Sequence, residues 1–75
     1  MIVRVKYFNE SIGAYSGAEY TYLSDIEVKP LEKVLVPVGE DGEMKKAIVT
    51  ATNLPSSVIS PAWADRLKKI GRYDR

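Results

Sequence analysis

The sequence predicts a small, mainly β barrel of four to five strands with one short helix near the C-terminus. Three observations support this prediction. Apolar residues alternate with polar ones, or run together, over the short lengths typical of strands. Turn-forming residues recur about every ten residues, as they do in small barrels. Helical spacing is found in one segment only, and a closed barrel would leave no exposed strand edge in so short a chain.

The first half of the chain predicts two strands joined by a loop. MIVRVKYF (residues 1–8) alternates with period two, which indicates a half-buried strand. NESIGAYSG (residues 9–17) is rich in asparagine, serine and glycine and is predicted to be a loop or loose hairpin. AEYTYLS (residues 18–24) alternates again, and Tyr20 and Tyr22 fall on the same face. DIEVKPLE then leads through a proline turn to the next strand.

The most apolar stretch is KVLVPVG (residues 33–39), which we expect to be buried on both faces. Pro37 lacks an amide hydrogen and therefore marks an edge, a bulge or the end of this strand. GEDGE (residues 39–43) is a tight acidic turn with two glycines. MKKAIVTATN (residues 44–53) is the next strand, so the pair is predicted to form a hairpin.

The C-terminal part predicts the single helix. Trp63, Leu67 and Ile70 have the spacing i, i+4, i+7, and Trp63 is expected to anchor the helix on the barrel. A serine of LPSSVIS caps its start, with a proline at the first helical position. We expect residues 71–75 to be a frayed tail of one domain that spans residues 1–75.

Composition excludes several classes of function. The chain of 75 residues contains no cysteine and no histidine, so it lacks a thiol nucleophile, the commonest general base and the commonest zinc ligands. No catalytic spacing is present among its carboxylates, lysines, tyrosines and serines. No apolar run is long enough to cross a bilayer, and the N-terminus has no continuous apolar core, so we expect no signal peptide. The sequence therefore predicts a non-enzymatic, cofactor-free cytoplasmic protein that does not enter membranes.

Charge is unevenly distributed although the net charge is only +1. Residues 19–43 hold seven acids against two lysines, whereas residues 44–75 hold seven bases against two aspartates. Such a molecule can present two faces of opposite sign, although charges scattered over a solvated surface would give the same counts. The acidic hairpin turn supplies a candidate protein-binding site of three carboxylates: Glu40, Asp41 and Glu43.

A nucleic-acid interface is the alternative candidate. Aromatic residues beside basic groups can stack on bases, as in single-strand binders. The candidate residues are two tyrosines and five cations: Tyr20, Tyr22, Lys45, Lys46, Arg66, Lys68 and Lys69. The simpler interpretation places the tyrosines at the rim of the core and the cations on solvated surface.

The order of these motifs resembles a family of small bacteriophage and prophage proteins. The resemblance covers YTYLSD, VKPLEKVLVPVG and KKAIVTATNLPSSVI. A weaker likeness is to the N-terminal DNA-binding module of the primosomal replication-restart helicase, with its tyrosine-bearing strand and its valine strand ending in VP. Both likenesses imply an SH3-like or OB-like barrel. The second family carries glycine and aspartate where this chain has Leu31 and Glu32, and leucine resists the positive φ of such a turn.

The resemblance implies a phage or prophage accessory protein. We expect it to bind a host or phage protein, and inhibition of a host defence is one form of that role. Binding to nucleic acid stays the alternative, and a homodimer formed by paired strand edges is possible.

Overall fold

A computed structural model describes residues 1–62 and 64–74, and it is mainly β. Six strands form one antiparallel sheet: β1 (Ile2–Asn9), β2 (Ala14–Tyr15), β3 (Tyr20–Leu23), β4 (Lys33–Val38), β5 (Glu43–Ala51) and β6 (Arg72–Tyr73). The spatial order is β2-β1-β5-β4-β6, and β3 pairs with β1 on the same side as β2. The predicted strands around residues 1–8, 18–24, 33–39 and 44–53 are therefore confirmed with small changes in their ends.

The core lies on one face of this sheet. Period-two alternation places valines of three strands on that face, and they are fully buried: Val3, Val5, Val34, Val36 and Val49. Four further residues complete the buried cluster: Tyr22, Val28, Ala47 and Ile70. We call this the inner face, and the opposite side of the sheet the outer face.

Strand β4, the first strand of the hairpin, is buried on one face only. Val34 and Val36 have no exposed surface, whereas Leu35 is half-buried on the outer face. The expectation of burial on both faces is therefore wrong. An apolar run fits either a doubly covered strand or an ordinary sheet strand, and no second layer of described residues covers Leu35.

The turn before β4 forms without glycine. Leu31 has φ of 73° and is 76% exposed. Its N–H donates to the Val49 carbonyl (2.7 Å), and the Glu32 N–H donates to the Lys29 carbonyl (3.1 Å). Pro30 precedes Leu31, as in turns whose third residue needs a positive φ. The leucine thus adopts the conformation that we expected it to resist.

The sheet is not closed, so the predicted barrel is not confirmed. The C-terminal segment nevertheless hydrogen-bonds to both sides of the opening. The Leu23 N–H donates to the Lys68 carbonyl (2.9 Å), and the Ile70 N–H donates to the Leu23 carbonyl (2.8 Å). The next residue, Gly71, donates to the Leu35 carbonyl (2.9 Å) on β4.

The predicted C-terminal helix is not confirmed. The described part of this segment contains only a 3-10 turn at Ala64–Arg66, preceded by another at Ser56–Val58. A helix of nine residues is marginal by itself, and the extended residues after the turn hydrogen-bond to β3 and β4 instead. Trp63 lies outside the described residues, so its predicted anchoring role is not addressed.

Residues 71–74 lie against β4, where a frayed tail over residues 71–75 was expected; Arg75 lies outside the described residues. Arg72–Tyr73 form β6 and pair with Leu35 and Val34 of β4. Tyr73 packs against the buried cluster. In the described residues, no helix is long and apolar enough to cross a membrane.

Candidate functional site

The outer face of the sheet carries a concentration of positive charge. Four of its cations are sequence neighbours of buried residues in β1, β4 and β5, and the fifth, Arg72, lies opposite the outward Leu35. We call this set the basic face: Arg4, Lys6, Lys33, Lys46 and Arg72. Alternation along each strand forces this placement, because the neighbours of Val3, Val5, Val34 and Ala47 must point the other way. Among the described strands, no outward position holds an aspartate or glutamate.

Strand register brings these cations into rows. Lys6 and Lys33 both lie opposite Ile48, one from each neighbouring strand. Lys46 and Arg72 both lie opposite Leu35. Neighbouring strands are spaced about 4.8 Å apart, so the basic face extends about 14 Å from β1 to β6. In residues 1–62 and 64–74, none of the five cations forms an ion pair.

Aromatic rings adjoin the basic face. Phe8 and Tyr15 pack edge to face with ring centroids 5.1 Å apart, and the Lys46 ammonium lies 6.0 Å from the Phe8 centroid. A groove of about 780 Å³ runs past Phe8, Leu35 and Lys46. Burial raises the pKa of the Tyr15 phenol, and the Asp74 carboxylate shifts it in the same direction.

Two neighbouring lysines that we predicted for one interface lie on opposite faces. The Lys46 ammonium reaches toward Phe8 on the outer face. The Lys45 ammonium lies 4.9 Å from the ring centroid of Tyr7 on the inner face. Since side chains alternate along β5, these lysines cannot contact the same stretch of ligand from one face.

The two predicted stacking tyrosines also differ. Tyr20 is 45% exposed and stacks on Tyr7 with centroids 4.5 Å apart. Tyr22 is only 4% exposed. Its hydroxyl donates to the Pro37 carbonyl (2.9 Å) and shares a hydrogen bond with the Tyr7 hydroxyl (2.8 Å). Tyr22 therefore has no free ring face for a base.

The Tyr22 phenol is held neutral by its surroundings. Burial raises the pKa of Tyr22 well above its ordinary value of 10.0, and the hydrogen bond with Tyr7 acts in the same direction. Such a phenol serves as a structural hydrogen-bond donor at the pH of cells.

A second groove opens at the end of the inner face. We call it the aromatic groove; it measures about 460 Å³ and contains Tyr20, Thr21, Ile59, Arg66 and Lys68 in its lining. The Lys68 ammonium donates a hydrogen bond to the Gly39 carbonyl. Two of the predicted basic residues thus meet Tyr20 here, while Lys69 forms an exposed ion pair with Asp25 (2.9 Å) elsewhere.

The acidic turn is placed as predicted. Val38 pairs with Glu43, which leaves a four-residue connection between β4 and β5. Glu40, Asp41 and Glu43 are all exposed. No cluster of three or more metal-ligating side chains occurs in the described part of the chain.

Sequence reasoning missed four of the five cations of the basic face. Arg4, Lys6, Lys33 and Arg72 are spread over three strands and form no run in the sequence. A signal was available for Arg4, Lys6 and Lys33, because each falls at an alternate position beside a valine expected to be buried, whereas Arg72 stood in the predicted tail. Only pairing of the strands shows that they lie side by side.

Comparison with known proteins finds no matching family model, no curated relative and no similar solved structure.

Proposed function

We propose that the protein binds single-stranded nucleic acid through its basic face. The observation that supports this function most strongly is the absence of carboxylates from outward strand positions that hold five cations. A nucleic-acid backbone is the polyanion that such a surface fits, and binding would release its counterions. The Phe8–Tyr15 pair adds rings on which unstacked bases can pack.

The size of the basic face favours a single strand. A face about 14 Å wide is narrower than a duplex and matches a few nucleotides. If all five cations contact phosphates of one strand, the logarithm of the affinity should fall with the logarithm of the salt concentration with a slope of about −3.5. Raising the salt from about 50 to 200 mM would then weaken binding about 100-fold.

The test measures fluorescence anisotropy of a labelled single-stranded oligonucleotide and of a duplex of the same length. We expect Lys46→Gln to weaken binding to the single strand and to make the salt slope shallower by about 0.7. Lys29→Gln is the matched control, because it removes the same charge from an exposed loop position that does not line the groove beside the basic face. Equal loss in both variants, or no binding at low salt, would overturn the proposal.

Binding of a protein through the acidic turn is a second candidate. It is favoured by the clustering of three exposed carboxylates on one hairpin connection: Glu40, Asp41 and Glu43. Such a turn can compete with nucleic acid for a basic groove on a partner. The family resemblance implies a role in phage biology, and protein binding through the acidic turn is the function that fits this role. The test replaces the three carboxylates by amides in one variant (Glu40→Gln, Asp41→Asn, Glu43→Gln). A partner that binds this variant as tightly as it binds the natural chain would refute this second candidate.

We also propose that the sheet is an incomplete barrel of SH3-like type. The support is the C-terminal segment, which hydrogen-bonds to Leu23 of β3 at one end and to Leu35 of β4 at the other. Deleting residues 71–75 would then expose the edge of β4, whereas Lys68 and Ile70 would still bond to Leu23. We expect the truncated chain to lose protection of the β4 amides in hydrogen exchange, whereas unchanged protection would argue against this assignment.

A further inference from the structure

The outer edge of β3 has an unfinished hydrogen-bond ladder. The Ser24 N–H donates to the Met1 carbonyl (2.8 Å), toward β1, whereas both peptide groups of Leu23 bond to the C-terminal segment on the opposite side. Peptide groups alternate in direction along a strand. Thr21 is two residues before Leu23, so the N–H and C=O groups of Thr21 must also point away from β1.

No described residue pairs with these peptide groups of Thr21. Residues 68 and 70 occupy the positions beside Leu23 and do not extend the ladder to Thr21. Thr21 lines the aromatic groove, so the open edge faces a concavity and not a flat surface. An open strand edge of this kind is a template for a further strand.

The groove around this edge selects the chemistry of an occupant. Its lining includes the apolar side chains of Val58, Ile59 and Leu67 and two cations, Arg66 and Lys68. Among the residues whose side chains the structure describes, the lining includes no aspartate or glutamate. Only a polypeptide supplies an N–H and a C=O at the spacing that Thr21 requires. Cations next to apolar surface favour a peptide whose side chains alternate between carboxylates and apolar groups.

We propose that the aromatic groove binds an extended acidic segment of a partner protein, which adds to β3 as a strand through the peptide groups of Thr21. The alternate side chains of the segment enter the groove over Ile59 and Leu67, and its carboxylates approach Lys68. The site adjoins the basic face, because Thr21 lies opposite Arg4 in the pairing of β3 with β1.

The test begins with a displayed library of random nonapeptides selected on the full chain. Selected sequences should alternate apolar residues with aspartate or glutamate, and their synthetic versions should bind more weakly to Lys68→Glu. Thr21→Pro removes the outward N–H, which makes no hydrogen bond with a described residue, and should weaken binding about tenfold. Thr21→Val keeps that N–H and should bind as the natural chain does.

A second measurement does not depend on the folding of a variant. N-methylation of the peptide at the position opposite Thr21 should abolish binding, and N-methylation of the next residue should not. The proposal is overturned if no N-methyl group affects binding, if Thr21→Pro folds and binds normally, or if the library gives no enriched peptide. It is also overturned if an oligonucleotide, and no peptide, shifts the amide resonances of Thr21 and Leu67.

Discussion

Replacing Tyr22 by phenylalanine tests the buried hydrogen bonds of the aromatic end of the sheet. The hydroxyl makes two hydrogen bonds, to Pro37 and to Tyr7, from a side chain that is 4% exposed. Each is worth about 1 kcal/mol, but the half-buried Tyr7 hydroxyl can regain a partner. We therefore expect Tyr22→Phe to lower the free energy of unfolding by about 1.5 kcal/mol, which lowers Tm by about 6–12 °C. Urea denaturation at neutral pH measures this change in the free energy of unfolding.

The same variant makes a prediction about pH. The pKa of Tyr22 is raised in the folded state above its ordinary 10.0. The stabilisation from a protonated phenol is thus complete below about pH 10 and is lost as the pH rises above that value. The loss is about 1.4 kcal/mol per pH unit, so natural chain and variant should reach equal stability near pH 11.

The control for both measurements is Tyr20→Phe. Tyr20 is 45% exposed, and its hydroxyl makes no hydrogen bond with a described residue, so this change should cost less than about 0.5 kcal/mol. A loss as large as that of Tyr22→Phe would refute the assignment of the stabilising bonds. A stability difference between natural chain and Tyr22→Phe that stays constant up to pH 11 would refute the pKa argument.

Two further substitutions test backbone geometry. Leu31→Gly should raise the free energy of unfolding by about 0.5–1 kcal/mol, because φ of 73° strains a leucine and not a glycine. Thermal unfolding measures this gain in stability. An equal gain from Leu31→Ala would contradict the reason given. Gly71→Ala should destabilise by about 1 kcal/mol, since the added Cβ would lie 2.3 Å from Met44 Cε and 3.2 Å from the Leu35 carbonyl oxygen. Combining it with Met44→Ala should recover part of this loss in urea denaturation, and no recovery would place the strain at the carbonyl.

The C-terminal segment shows where prediction from a single sequence fails. The spacing of Trp63, Leu67 and Ile70 fits a helix, and Ile70 is buried as that pattern required. The backbone is extended at Lys69 and Ile70 because the outward peptide groups of Leu23 need partners, which a helix would not supply. Hydrogen bonds to a distant strand thus overrode a weak local preference.

The candidate sites were predictable to different degrees. The acidic turn could be read directly, since its glycines and carboxylates are contiguous. The basic residues predicted for the nucleic-acid interface do not all share one face of the sheet. Lys45 and Lys46 are neighbours in sequence, but their side chains point to opposite faces. The basic face required the register of four strands, which no local pattern contains.

Local alternation by itself determined that the chain is mainly β. It also determined which side of each long strand is buried, because with a period of two only one face of the strand can place its apolar side chains in the core. Tertiary structure alone decided which cations become neighbours, that Tyr22 is buried while Tyr20 is exposed, and that Thr21 lies on an open edge. Those properties depend on contacts between residues far apart in the chain. They are fixed only when the strands pair and the C-terminal segment takes its place beside β3 and β4.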